Sequence, residues 1–117
     1  MRVHGVEVAG VDVDAQTRCR HYHSEADIVA IRFPCCDTYY PCHLCHAEVA
    51  SHPPAVWKRE RFGERAVLCG ACGAELAIAE YLRSHAACPV CGARFNPGCA
   101  AHRHLYFDVP AGLSRRL

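Results

Sequence analysis

Valine recurs at positions 3, 6, 8, 11 and 13, an imperfect alternation broken by Gly5 and Gly10. Period-two spacing with glycine interruptions predicts one or two short strands joined by a glycine turn. The strongest strand signal is Ile28-Val29-Ala30-Ile31-Arg32-Phe33, which ends at Pro34. Tyr39-Tyr40-Pro41 carries the chain out of that region. Cys45 to Ala50 predicts one or two helical turns, and Pro53-Pro54 blocks their continuation. Val56, Trp57, Phe62, Val67 and Leu68 surround Gly63 and predict a hairpin over 55–68. Leu76, Ile78, Tyr81, Leu82 and His85 fall mostly at i, i+3, i+4 intervals with alanines between them, so 74–85 is the one strong helix pattern. Residues 92–109 read as loop through Asn96-Pro97-Gly98, then turn apolar at Leu105-Tyr106-Phe107. The chain after Pro110 reads as a frayed tail.

These elements predict a small α+β domain with short hairpins, one helix near 74–85 and much irregular chain. An N-terminal β segment over 1–18 packs on a main domain over 19–109, and 110–117 form a C-terminal tail. The chain has no repeat, no low-complexity tract and no linker. At 117 residues, one domain is the natural reading. Its hydrophobic content of 51% overstates the core, because it counts 10 cysteines and many alanines. Domains this thin in large apolar residues need staples, and metal ions are one kind.

Cysteines and histidines supply the ligands for such staples. Cys19-Arg20-His21 opens a series that continues through Cys35-Cys36, Cys42-His43-Leu44-Cys45-His46 and His52. Two Cys-x-x-Cys pairs close it, Cys69/Cys72 and Cys88/Cys91. Together these are nine cysteines and three histidines. Zn²⁺ takes four such ligands in a tetrahedron, so the twelve suit about three ions per chain in closed, structural sites. Each Cys-x-x-Cys pair spans one tight turn that aims both sulfurs at one ion. One such pair alone could equally be a redox pair; three of them beside Cys-x-His and Cys-Cys point to metal. On an extended chain neighbouring Cβ atoms diverge, so Cys35 and Cys36 are expected to serve different ions, as are Cys45 and His46. His4, His23, His43, His85 and His104 lack partners at ligand spacing and read as packed or solvent-facing.

Disulfides are the competing use of cysteine. The N-terminal stretch holds Glu7 and two glycines without an apolar run, so it does not read as a signal peptide. No segment approaches the roughly 18 apolar residues of a membrane span. The expectation is a cytoplasmic protein with metal-bound thiolates. Formal net charge is +1, with 13 Lys and Arg against 12 Asp and Glu. Ligand thiolates and three divalent ions bring it to about −2. Neither value gives the clustered positive field that nucleic-acid binding needs, and Trp57-Lys58-Arg59-Glu60-Arg61 is diluted by Glu60 and Glu64. A monomer that binds another protein is the expected mode.

Cys-Arg-His-Tyr at 19–22, Pro-Cys-Cys-Asp at 34–37 with Tyr40, Cys-x-x-Cys-His at 42–46, His52 before Trp57, and the two terminal knuckles resemble the CHY-type zinc finger. The resemblance covers about Cys19 to Phe107. It implies three zinc ions on Cys19, His21, Cys35, Cys36, Cys42, Cys45, His46, His52, Cys69, Cys72, Cys88 and Cys91. Members include N-terminal domains of RING-type ubiquitin ligases and small free-standing proteins, among them a mitochondrial assembly helper. This sequence is similar to the free-standing kind in its Phe95-Asn96-Pro97-Gly98-Cys99 ending with His102, Tyr106 and Phe107. No second Cys/His-rich module follows, so ligase activity is not implied.

Three functions follow as expectations. The first is a non-enzymatic zinc module presenting a protein-interaction surface. The second is a zinc-handling or thiol-redox factor assisting other cysteine-rich proteins, for which Cys35-Cys36 and Cys99 are the relevant thiols. The third is a hydrolytic zinc enzyme, which needs an open site and a carboxylate base, with Glu48 beside His46 as the one candidate. Cys99 and His102 leave a choice open. They either form a further pair with Cys88 and Cys91, or pack in a turn and lie on the surface.

Overall fold

The computed structural model describes residues 1–109, the side chains of 98–101 excepted. The Cys99 thiol and the 110–117 tail therefore lie outside the described residues. Strand β1 (Arg2–Val3) turns through His4 and Gly5 onto β2 (Val6–Glu7). Both turn residues have positive φ, +50° and +82°, as a two-residue hairpin turn requires. Four more strands form an antiparallel sheet: β3 (Val29–Phe33), β4 (Thr38–Tyr40), β5 (Arg65–Cys69) and β6 (Glu75–Ala77), in the order β4-β3-β5-β6. β3 and β5 are central because they carry apolar residues for both faces. Ile31, Phe33, Val67 and Tyr40 face the main core. Ala30, Leu68 and Tyr39 face the other way and are covered by Val3 and Val8. The N-terminal hairpin thus caps the sheet's second face. Val8 bridges to Tyr39, and the Ala9 N–H donates to the Tyr39 carbonyl at 2.9 Å.

Two expected elements differ. Residues 74–85 are not one helix: Glu75–Ala77 form β6, and only Ile78–Leu82 are helical (α2). The Cys69–Cys72 knuckle reverses the chain, so residues 75–77 land beside the open edge of β5. Backbone partners there outweigh a weak intrinsic helix preference. Leu76 and Ile78, which carried the helical pattern, are still buried in the core. The hairpin expected over 55–68 is also absent. Arg59–Arg61 form a 3-10 turn, and β5 finds its partners in β3 and β6. Trp57 joins the C-terminal segment instead. Its N–H donates to the Tyr106 carbonyl, its carbonyl accepts from Asp108 N–H, both at 2.9 Å, and its indole N–H donates to the Arg32 carbonyl at 2.6 Å. That route lets a large ring be fully buried while its one donor is satisfied.

Helix α1 (His43–Val49) starts two residues earlier than expected, with Cys42 as its cap. Its Sγ accepts from the Cys45 N–H at 3.4 Å. Pro97–Leu105 winds as a 3-10 turn where a loop was expected. No helix among the described residues is long and apolar enough to cross a membrane.

The knuckle after β5 is locked in by Gly70. Its N–H donates to the Ile28 carbonyl at 2.6 Å, and its own carbonyl accepts from His4 Nε2 at 2.8 Å. A Cβ added at Gly70 would lie 2.1 Å from the Gln16 carbonyl oxygen, a backbone atom. Gly70→Ala is therefore expected to destabilise the fold by about 3 kcal/mol through overpacking. A lowered urea midpoint at unchanged zinc content checks this; an unchanged midpoint contradicts the close crossing.

Candidate metal centres

Sequence-distant elements bring the twelve Cys and His residues together as three groups of four. Within each group all ligand atoms lie within 4.8 Å of one another. In the first, Cys19 and His21 from the segment before β3 meet Cys42 and Cys45 at the start of α1. In the second, Cys35 and Cys36 from the β3–β4 turn meet His46 on α1 and His52 after it. In the third, the Cys69/Cys72 knuckle between β5 and β6 meets Cys88/Cys91.

The separations test what these groups can hold. A tetrahedron with Zn–S bonds of ~2.3 Å and Zn–N bonds of ~2.0 Å has edges of about 3.8 Å (S···S), 3.5 Å (S···N) and 3.3 Å (N···N). Cys19 and Cys42 sulfurs are 3.7 Å apart, Cys69 and Cys91 3.9 Å, Cys72 and Cys88 3.8 Å, and Cys35 and Cys36 3.9 Å. His21 Nδ1 lies 3.5 Å from both Cys42 and Cys45 sulfurs and 3.8 Å from that of Cys19. His46 Nε2 is 3.4 Å from the Cys35 sulfur and 3.2 Å from His52 Nε2. These are edges of zinc tetrahedra, and far from the ~2.05 Å of a disulfide. All nine described cysteines are free thiols.

A sequence profile of the CHY zinc finger matches residues 19–97, from the first ligand of the first group to just past the last of the third. The chain belongs to the CHY zinc finger family. It is 44% identical over 106 residues to Helper of Tim protein 13 of Saccharomyces cerevisiae, covering 88% of this chain and 91% of that protein. The Kluyveromyces lactis protein of the same name is 39% identical over 113 residues, covering 92% and 96%. An uncharacterised protein of Schizosaccharomyces pombe is 45% identical over 101 residues, covering 86% and 88%. This CHY finger is a zinc-binding protein with three Cys/His clusters able to hold the ion.

The backbone of the third cluster is built twice. The Cys69 N–H donates to the Ala74 carbonyl at 2.9 Å, and the Gly73 N–H to the Cys69 carbonyl at 2.8 Å. Cys88 N–H to Ala93 and Gly92 N–H to Cys88 repeat the pattern at 2.8 and 2.9 Å. Gly73 and Gly92 close both turns at φ near +80°, a conformation open to glycine at no cost. Backbone donors also reach the sulfurs. Val11 N–H points at Cys45 Sγ and Val90 N–H at Cys88 Sγ, both at 3.4 Å.

Thiols this crowded resist ionising together. The Cys42 thiol, hydrogen-bonded to Cys19, holds Cys19 down to about 5, and the same contact with burial drives Cys42 up. Burial pushes Cys69 up to about 12 and raises Cys45 and Cys36. A divalent cation at the centre of each group removes that repulsion, and it is the ion these donors fit.

One expectation changes at this level. Cys45 and His46 do turn to different clusters, but Cys35 and Cys36 turn to the same one. The reason is local: 34–37 is a tight turn rather than extended chain, closed by Asp37 N–H to the Phe33 carbonyl at 2.8 Å with Asp37 at φ +53°. Its curvature brings both thiols to one side. His102 stands apart from Cys88 and Cys91, with its ring 6.2 Å from that of Tyr22 and 5.6 Å from that of His43.

Glu48 was legible only as a carboxylate near His46. The fold turns it to His21, whose Nε2 donates to Oε1 at 2.7 Å. The contact raises the basicity of the His21 ring and leaves Nδ1 facing the three sulfurs. Such a carboxylate fixes tautomer and ring orientation, and its loss costs roughly 10–100-fold in metal affinity. Glu48→Ala is expected to keep the fold but give up one zinc that much more readily in competition with a chromophoric chelator. Unchanged release of every zinc would remove Glu48 from the site.

Proposed function

We propose that this chain is a structural zinc module, not an enzyme, whose folded surface binds another protein. One observation carries the reading. Each cluster supplies four Cys or His ligands to one ion, a closed set that leaves no position for a water or substrate. Glu48 is engaged by His21 and so does not favour the hydrolytic alternative. Cysteines committed to zinc rather than to disulfides suit a reducing compartment such as the cytoplasm, and a formal net charge near zero with both signs present is compatible with a monomer.

Similarity over nearly the whole length to proteins named Helper of Tim protein 13 makes Tim proteins the first partners to test. The tagged, zinc-loaded chain and the same chain stripped of zinc by a chelator should be compared for co-purifying proteins from the native cell. Partners that follow only the zinc-loaded form support the module. A chain that purifies alone in both forms, or that hydrolyses esters or phosphates with zinc-dependent turnover, overturns it.

A second reading has its own support. Cys35 is exposed and Cys36 is half-buried, so the second cluster lies open to other proteins' thiols and metals. Zinc handling is the activity that such a cluster suits. Transfer of one zinc equivalent to a reduced cysteine-rich acceptor within minutes favours handling over a purely structural role.

The zinc content itself is a direct expectation. Protein purified without added metal should carry about three zinc ions by elemental analysis. One zinc, or iron in its place, contradicts the three-cluster reading.

A further inference from the structure

The chain leaves α2 through a turn that L-residues seldom make. His85 and Ala86 follow one another at φ +52° and +59°, in the left-handed region that residues other than glycine rarely enter. Ala87 N–H closes the turn on the Ser84 carbonyl at 3.3 Å, and the Ala86 carbonyl accepts from Phe95 N–H at 2.8 Å. The His85 and Ala86 N–H groups meet no acceptor among the described residues. Successive unpaired N–H groups in a turn form a concavity for an anion. Strained backbone of this kind clusters at ligand sites.

A positive charge stands on the same space. A cleft of about 290 Å³ lies between this turn and the segment 95–103, and Tyr81, His85, Ala86, Phe95, Pro97 and Arg103 are in its lining. The lining holds no Asp, no Glu and no zinc ligand. Arg18, Arg32, Arg59 and Arg61 each reach a carboxylate elsewhere in the fold. Arg103 is half-buried, yet among the described residues it has no acidic, carbonyl or aromatic partner. Asp27 contacts the lining through the Asn96 amide at 2.9 Å and makes no ion pair with Arg103. Buried charges in proteins are normally paired, because desolvation without a partner is costly. The Arg103 Nε is sealed from solvent without a hydrogen bond, so the Nη end is the part that can meet a ligand. The Ser84 hydroxyl already donates to the Tyr81 carbonyl at 2.7 Å and is not among the donors.

The donors and the wall together select the ligand. A guanidinium's planar fork matches a carboxylate with two parallel bonds. Tyr81, Phe95 and Pro97 add an apolar wall that a bare inorganic ion would not use. The volume is near the ~300 Å³ at which small-molecule sites begin, room for a carboxylate on a body of about one ring. We propose that this cleft binds a small organic carboxylate, its oxygens held by the Nη end of Arg103 and the N–H groups of His85 and Ala86. That chemistry has two sources, a free organic acid and the chain-end carboxylate of another protein. The proposal does not depend on what the zinc clusters do.

The test is titration of the ¹⁵N-labelled, zinc-loaded chain with benzoate, benzamide, inorganic phosphate and acetyl-Gly-Phe bearing a free carboxylate. Benzoate should shift the His85, Ala86 and Phe95 amides and bind roughly 10–100-fold tighter than benzamide, its neutral counterpart, the worth of a charge-assisted hydrogen bond. Arg103→Met should bring benzoate down to the level of benzamide at unchanged zinc content. Arg103→Lys, which keeps the charge and loses the fork, should fall between. Acetyl-Gly-Phe binding at the same amides assigns a partner's chain end, and benzoate binding alone assigns a free acid. Benzamide binding as tightly as benzoate, phosphate binding as tightly as benzoate, a zinc-loaded Arg103→Met chain that keeps the preference, or no shift at those amides overturns the proposal.

Discussion

Removing zinc with a strong chelator is expected to unfold this chain. The sheet has four strands, none longer than five residues, and the helices α1 and α2 have seven and five. Isolated helices and strands of such length are not stable in water. Long-range order comes instead from ions that tie distant segments together. The first cluster joins 19–21 to the start of α1, the second joins the β3–β4 turn to α1, and the third joins the β5–β6 turn to 88–91. A structural zinc site contributes on the order of 10 kcal/mol of apparent folding free energy, while a whole domain is stable by only about 5–15 kcal/mol. Losing three such sites exceeds what the aromatic core can supply. Far-UV circular dichroism and Trp57 fluorescence should report the loss as zinc leaves, and both should recover when zinc is restored. Acid should act in the same direction, because protons compete with zinc for the thiolates as pH falls. Native spectra in the zinc-free chain would mean that the core around Trp57, Phe33 and Phe107 suffices alone.

What the sequence disclosed follows from how local each signal is. Much of the candidate ligand set is local: a Cys-x-x-Cys turn needs only four residues, so Cys42/Cys45, Cys69/Cys72 and Cys88/Cys91 could be read directly, whereas His52, a lone histidine before Pro-Pro, rested on the family resemblance. The β3 strand was legible for a similar reason, because five consecutive residues serve both faces of a buried sheet. Grouping is not local. Whether Cys35 and Cys36 share an ion depends on the Asp37 turn, whose left-handed φ leaves no mark in the hydrophobic pattern. The role of Glu48 depends on α1 lying beside His21, 27 residues earlier in the chain. The helix over 74–85 failed where tertiary pairing overrode propensity: alanines and well-spaced leucines suit a helix, but β5 offered residues 75–77 backbone partners. Trp57 misled for the opposite reason. It looked like a strand residue in a hairpin, and its partner proved to be Phe107, 50 residues on.

Cys69→Ser and Cys35→Ser are expected to part sharply, although each should lose one zinc. Cys69 is the last residue of β5 and fully buried, and it pairs with Val29 of β3 in the centre of the sheet. Its ion holds the turn that lays β6 and α2 against the core, and with them Leu76, Ile78 and Tyr81. Without that ion, three uncompensated cysteines remain crowded at the sheet's end, and the hairpin loses the tie that fixes its register. Destabilisation should far exceed the ~0.5–3 kcal/mol of an ordinary substitution, and the variant should be unfolded or insoluble at 37 °C. Cys35 is exposed on a turn, and its cluster ties that turn to α1 at the edge of the molecule. His46 stays wedged by packing even without zinc, its ring stacked 4.4 Å from Phe33 and edge-on to Tyr40 at 5.0 Å. The sheet, both knuckles and the two remaining ions should therefore survive. Cys35→Ser should purify folded with about two zinc ions, a lower melting temperature and local amide exchange confined to 34–37 and 50–53. Equal collapse of both variants would mean that the three clusters fold as one cooperative unit, and that the Cys35 cluster is as structural as the Cys69 cluster.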